Sequence, residues 1–152
     1  MSARILVIDD DVAICRIFQV MLGAEKYRVQ TCNSVSDALS AIEQNPFDVY
    51  VMDYKLPDGS GLDIAERIRS KWGAAPIILI SGYDRSFFAS RAEKLGITQF
   101  IEKPFSQEAF SRAVRKGIEL AASAAPSIPP SQVAELKRKN LISRLWHVFD
   151  TQ

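Results

Sequence analysis

Reactive or charged groups end four separate apolar runs in this chain, and that placement is the first sign of chemistry. Asp9 and Asp10 follow Ile8, Asp53 follows Met52, Ser81 follows Ile80, and Lys103 comes just past Ile101. Each has an ordinary explanation when taken singly. Asp after a strand is more often a turn former or helix cap, and Asp11 and Asp58 are assigned no more than that. Ser81 before Gly82 reads equally well as a turn, and Lys103 before Pro104 as a solvated loop lysine. Their convergence points elsewhere. Three crowded carboxylates repel one another and raise their own pKa values unless a cation neutralises them. A hard divalent ion is the economical answer, and magnesium suits a few carboxylates completed by water and phosphate oxygens. Asp53 is then the natural nucleophile, because a carboxylate can attack phosphorus to form an aspartyl phosphate. Phosphoryl transfer depends on in-line positioning and on charge placed against the equatorial oxygens. Lys103 offers a compact ammonium for that role and Ser81 a hydroxyl donor.

These groups meet only if the elements carrying them share one edge. Short runs rich in β-branched residues recur at Ile5 to Ile8, Tyr27 to Thr31, Asp48 to Met52, Ile77 to Ile80 and Thr98 to Ile101, and helical periodicity separates them. The first helix is assigned the inner face Ile14, Ile17, Phe18, Met21 and Leu22, with Asp11 as N-cap. Ser34 starts the second, three residues before Asp37, and Pro46 enforces its end. Leu62, Ala65, Ile68 and Trp72 mark the third, which stops at Gly73. Phe88, Ala92 and Leu95 mark the fourth, which stops at Gly96. The fifth starts at Ser106, with Phe105 and Phe110 as a hydrophobic staple. Strand and helix alternating five times predict an α/β fold: a doubly wound, five-stranded parallel sheet in the order 2-1-3-4-5. Ligands bind such sheets beyond the carboxyl ends of the strands, where strand order reverses, and here that crevice carries Asp9, Asp10 and Asp53.

At this point the chain resembles a known family. The runs Ile5 to Asp11, Asp53 to Gly61, Ile80-Ser81-Gly82 and Lys103-Pro104-Phe105 are similar to the motifs of the response regulator receiver domains of two-component signalling, over about residues 3–121. The resemblance implies a flavodoxin-like fold and a Mg2+ cofactor, with Mn2+ able to substitute. It also implies phosphorylation of Asp53 by a histidine kinase or histidine phosphotransfer protein. By the same resemblance Asp10 is the direct metal ligand and Asp9 acts mostly through water, while Asp53 and the backbone carbonyl of Lys55 complete the protein's ligands. Lys103 and Ser81 stabilise the phosphoryl group, and Pro104 is the family's cis proline. Ser81 and Phe100 form the switch pair, Phe100 standing where Tyr is commoner and so lacking a hydroxyl for partner binding. Such a domain is not an enzyme beyond its own phosphoryl transfer and slow autodephosphorylation. An aspartyl-phosphate hydrolase is disfavoured because Ala13 replaces the Thr or Val that such enzymes carry after Asp9 and Asp11.

Composition bounds the rest. The chain has 152 residues, of which 47% are hydrophobic and 24% charged, which suits one globular domain with an appendage. No apolar run approaches the roughly 18 residues of a membrane span, and no signal-peptide pattern opens the chain, so the expected location is the cytoplasm. Cys15 and Cys32 read as buried reduced thiols. The division expected is 1–121 for the receiver, 122–130 for a linker stiffened by Pro126, Pro129 and Pro130, and 131–152 for an amphipathic helix. That tail carries 4 basic against 2 acidic residues, whereas residues 1–130 carry 15 against 16. Its apolar side, including Val133, Leu136, Leu145 and Trp146, calls for cover. Docking on the receiver or homodimerisation is the first expectation, with the fourth and fifth helices as another dimer surface. Capture of a protein partner by the helix is the alternative, and membrane-surface binding ranks last. His147 is read as a packing or surface residue. The tail is short for a helix-turn-helix unit, so no nucleic-acid partner is expected.

Overall fold

The computed structural model describes residues 2–123. The tail from 124 onwards, with the expected 131–152 helix and His147, lies outside the described residues. The elements run β1 (Arg4–Ile8), α1 (Val12–Ala24), β2 (Arg28–Cys32), α2 (Val35–Gln44), β3 (Val49–Asp53), β4 (Lys55–Leu56), β5 (Gly59–Ser60), α3 (Gly61–Trp72), β6 (Ile77–Ser81), α4 (Ala89–Lys94), β7 (Gln99–Glu102) and α5 (Gln107–Ser123). The main sheet has the order β2-β1-β3-β6-β7 and every pairing in it is parallel. This is the expected 2-1-3-4-5 order, because β4 and β5 form a separate two-stranded hairpin.

Strands covered on both faces must be apolar throughout, and alternate residues then enter two different layers. Ile5, Val7, Val49, Val51, Ile78 and Ile80 face α1 and α5, where the Phe18 and Phe110 rings stack with centroids 4.1 Å apart. Leu6, Ile8, Tyr50, Met52, Ile77 and Leu79 face the opposite layer, with α2, α3 and α4. The core is thus two slabs divided by the sheet.

Most helices take their start from an identifiable cap. Asp11 accepts from the Ala13 and Ile14 N–H groups, and Ser34 Oγ accepts from Asp37 N at 3.1 Å. Ser106 Oγ caps α5 by accepting from Ala109 N at 3.0 Å. At α3 a full capping box joins Ser60 to Asp63, a Ser-x-x-Asp signal present in the sequence but not among the expected caps. Gly73 and Gly96, both at positive φ, close α3 and α4.

Several boundaries and faces differ from expectation. Strands β2, β3, β6 and β7 each end one residue later than predicted, so Asp53 and Ser81 are the last residues of their strands. Backbone pairing carries them there: Asp53 sits in register with Ile80 and Ser81 with Glu102. Ile17, placed inward by periodicity, is 56% exposed, and Cys15 occupies the core face with Phe18 and Leu22. The phase of α1 is set by stacking against α5, and apolar residues occur all round it. The fourth helix is only six residues long and follows a 3-10 turn at Arg85–Phe87. Helix α5 runs to Ser123, two residues into the segment assigned to the linker.

Candidate functional site

Because β1 and β3 are neighbours, their carboxyl ends deliver Asp9, Asp10 and Asp53 to one place. One oxygen from each carboxylate lies within 4.8 Å of the others. Asp9 and Asp53 are only 3% and 7% exposed, whereas Asp10 is open to solvent. Burial pushes the Asp9 carboxyl up to about 6, a bond from the Asp11 N–H (2.9 Å) partly opposes this, and the Asp53 charge adds to it. A site made only of oxygen donors, with too much negative charge for its degree of burial, fits a hard divalent cation.

Lys103 is the one cation bonded to this cluster among the described residues, its Nζ donating to Asp53 Oδ2 at 2.8 Å. It arrives from the end of β7, two strands from β3, a separation of about 10 Å that demands a long, extended side chain. The Lys103–Pro104 peptide bond is cis, and the Lys103 N–H donates to the Ser81 carbonyl at 2.9 Å, which ties that loop to β6. Burial opposes the ammonium charge, but the bond to Asp53 and the nearby Asp9 and Asp10 outweigh it and hold Lys103 above the ordinary lysine pKa.

The other oxygen of Asp53 accepts from Lys55 N at 3.4 Å, so the carboxylate is gripped from both sides. Beneath it the backbone is packed without slack. A Cβ on Gly61 would lie 2.5 Å from the Asp53 carbonyl oxygen, so the first residue of α3 can only be glycine there. The Gly61 N–H bonds to the Tyr54 carbonyl at 2.8 Å, seating α3 directly under the end of β3.

Ser81 is not bonded to Asp53. Its Oγ accepts from Tyr83 N at 2.8 Å and faces the Tyr83 carbonyl at 3.4 Å. Phe100 is half-buried, with the Arg85 guanidinium 4.8 Å from its ring centroid and Phe88 6.0 Å away. Between Ser81 and Phe100 lies a cavity of about 310 Å³, with Leu79 and Phe88 in its wall. Across the mouth of the site, Lys55 Nζ donates to the Tyr83 hydroxyl at 3.1 Å, a contact between residues 28 apart that no local pattern announces. Asp58, assigned only a turn role, instead accepts from the Val35 and Ser36 N–H groups and so caps α2 from a distant loop.

The response regulator receiver domain family matches this chain over residues 5–115. The chain belongs to that family. Receiver domains are phosphoacceptors that bind Mg2+ at an acidic pocket. The chain is 33% identical to the transcriptional regulatory protein KdpE of Mycobacterium tuberculosis over 121 residues, 80% of this chain and 53% of KdpE. It therefore spans about half the length of that relative. Among solved structures, the non-phosphorylated HemR receiver domain of Leptospira biflexa is 31% identical with a TM-score of 0.75, covering 84% of this chain and all of that one. TrrA of Thermotoga maritima, solved in complex with Mg(2+)-BeF, is 30% identical with a TM-score of 0.67, covering 77% of this chain and 99% of its own. The name of KdpE conflicts with the expectation that no nucleic acid is involved, since that relative is a regulator of transcription. No helix among the described residues is long and apolar enough to cross a membrane.

Proposed function

We propose that this receiver takes a phosphoryl group from the phosphohistidine of a kinase or phosphotransfer protein onto Asp53. The observation that carries the reading is the Asp53 carboxylate itself. It is nearly buried at a strand end, bonded to Lys103 at 2.8 Å, and clustered with Asp9 and Asp10. In the transfer an Asp53 oxygen forms the new bond to phosphorus while the phosphorus–nitrogen bond breaks, and the imidazole leaves with that electron pair. Lys103 releases the carboxylate oxygen and donates to a phosphoryl oxygen, and Ser81 gives up its bond to Tyr83 to donate to another. Asp9, Asp10, Asp53 and the Lys55 carbonyl would hold Mg2+, which supplies charge neutralisation for the incoming phosphoryl group. The receiver is assigned to residues 1–121, and the partner through which it signals, DNA or another protein, is set by the segments joined to it.

Incubation with acetyl phosphate and Mg2+ is expected to add one phosphoryl group per chain, read by intact mass, with none on Asp53→Asn and none in EDTA. Labelling that persists on Asp53→Asn at the wild-type level would remove the assignment. Rapid continuous consumption of the donor would instead favour a hydrolase.

A further inference from the structure

The three carboxylates of the acidic cluster are not held alike. Asp9 accepts from the Asp11 N–H, and Asp53 lies between Lys55 N and Lys103 Nζ. Asp10 is the exposed member, the one most open to a hydrated cation, and among the described residues its carboxylate has no counterpart to those bonds. Its aim is therefore set by its backbone, that is, by the plane of the peptide joining it to Asp9. That peptide is anchored from a distant segment. Strands β1 and β2 end at Ile8 and Cys32, and one more backbone bond follows, from the Asp9 N–H to the Cys32 carbonyl at 3.1 Å. The Asp9 carbonyl, by contrast, accepts from side chains: Asn33 Nδ2 at 2.9 Å and the Cys15 thiol at 3.4 Å. Asn33 Nδ2 also lies 3.6 Å from Cys15 Sγ, so amide, thiol and carbonyl close a triangle in which the amide is the strong donor and the thiol the weak one. Just beyond Asn33, the Val35 and Ser36 N–H groups donate to the Asp58 carboxylate at 2.8 and 3.0 Å. Residues 33–36 thus grip both walls of the acidic cluster, the end of β1 and the loop after β3.

We infer that Asn33 is a positioning residue for the metal: by holding the Asp9 carbonyl it aims the Asp10 carboxylate, and so sets how tightly Mg2+ binds. The inference rests on the metal-binding part of the function proposed above. Asn33 is no ligand itself, since its amide is already spent on the backbone behind the cluster, and it acts only through the Asp9–Asp10 peptide. Without that amide the thiol alone restrains the carbonyl, the peptide can tilt, and Asp10 spreads over more positions that binding must then order. Groups that orient a ligand from behind typically carry about 10–100-fold in metal affinity. Mg2+ keeps several waters and takes few protein ligands, so the lower figure applies here. An Asn33 that merely braced the loop would alter stability and leave the affinity alone.

The test is calorimetric titration of Mg2+ into the unphosphorylated full chain. Asn33→Ala removes the donor, and Asn33→Leu removes it while keeping the branched shape, which guards against simple unfolding. Both are expected to weaken Mg2+ binding by about tenfold. Arg69→Met, which loses three carbonyl bonds at the opposite edge of the sheet, controls for lowered stability and should bind Mg2+ as wild type does. In acetyl phosphate labelling, Asn33→Leu should need about tenfold more Mg2+ for its half-maximal rate, yet reach the wild-type rate once saturated. Wild-type affinity in a folded Asn33 variant overturns the inference, and so does an equal loss in Arg69→Met, which would trace the effect to general loosening. Wild type that binds Mg2+ but takes up no phosphoryl group sinks the phosphoacceptor reading alone, because the titration still decides the role of Asn33. Wild type that binds no Mg2+ sinks both.

Discussion

Replacing Asp9 by Asn asks whether the acidic cluster is a destabilised arrangement relieved by a cation. Burial, with Asp53 beside it, holds the Asp9 carboxyl at about 6 against an ordinary 3.8. The folded protein therefore binds that proton more tightly than the unfolded chain, and at pH 7 the ionised side chain works against the native state. At 1.36 kcal/mol per decade the difference corresponds to about 3 kcal/mol, an upper value that side-chain relaxation and water reduce to ~1–2 kcal/mol. Asn preserves the shape, and its Oδ1 can still accept the Asp11 N–H. In EDTA at pH 7, urea unfolding should thus find Asp9→Asn more stable by ~1–2 kcal/mol. The gap should close on acidification, because wild type regains stability as Asp9 takes up its proton from about pH 6 downward, with the gain complete below 3.8. Added Mg2+ should stabilise wild type more than the variant, by preferential binding to the folded state. A variant less stable than wild type in EDTA at pH 7, or a gap that stays constant from pH 7 to pH 4, would refute the account.

Gly61→Ala forces a Cβ against the Asp53 carbonyl oxygen. It should cost ~2–4 kcal/mol in urea unfolding and slow acetyl phosphate labelling, since the displaced atom belongs to the acceptor residue. Arg69 donates to the carbonyls of Leu95, Gly73 and Ala75, tying the end of α3 to the loops before β6 and β7. Arg69→Met keeps the stem and orphans those carbonyls, for an expected loss of ~2–3 kcal/mol that chemical denaturation can measure. For Asp58, the Val35 N–H and then the Ser36 N–H lower its pKa, so its support for α2 is present above the usual carboxylate range and is lost as pH falls through the lowered value. Asp58→Ala should lower Tm at pH 7, and the two melting curves should converge in strong acid.

The acidic cluster and Lys103 are legible in sequence because a parallel sheet turns the phrase "end of a strand" into "same edge". No residue of that set needed a distant contact to be found. The inner face of α1 was legible in Ile14, Phe18, Met21 and Leu22, which all pack on the core, but not at Ile17, where apolar surface spreads around the helix and the core takes Cys15 instead, beside the Phe18–Phe110 stack. Asp58 misled for a related reason. Its Pro-Asp-Gly setting describes a turn, but nothing local reveals that the carboxylate faces the start of a helix more than twenty positions earlier. The Lys55–Tyr83 bond across the mouth and the carbonyl clamp of Arg69 are likewise products of the assembled fold. By contrast, the Ser60–Asp63 box was present in the residues and simply required checking the third position after each Ser.

Asp9, Asp53 and Lys103 come from segments spread over nearly the whole receiver, and β1, which contributes the first of them, is paired on both sides before it can present anything. A fragment that ends before Lys103 therefore has no such lysine to hold against that aspartate. On the function proposed above, a chain still short of that lysine should fail to take up phosphate, and the yield of modified protein would then double as a census of how many molecules have finished folding.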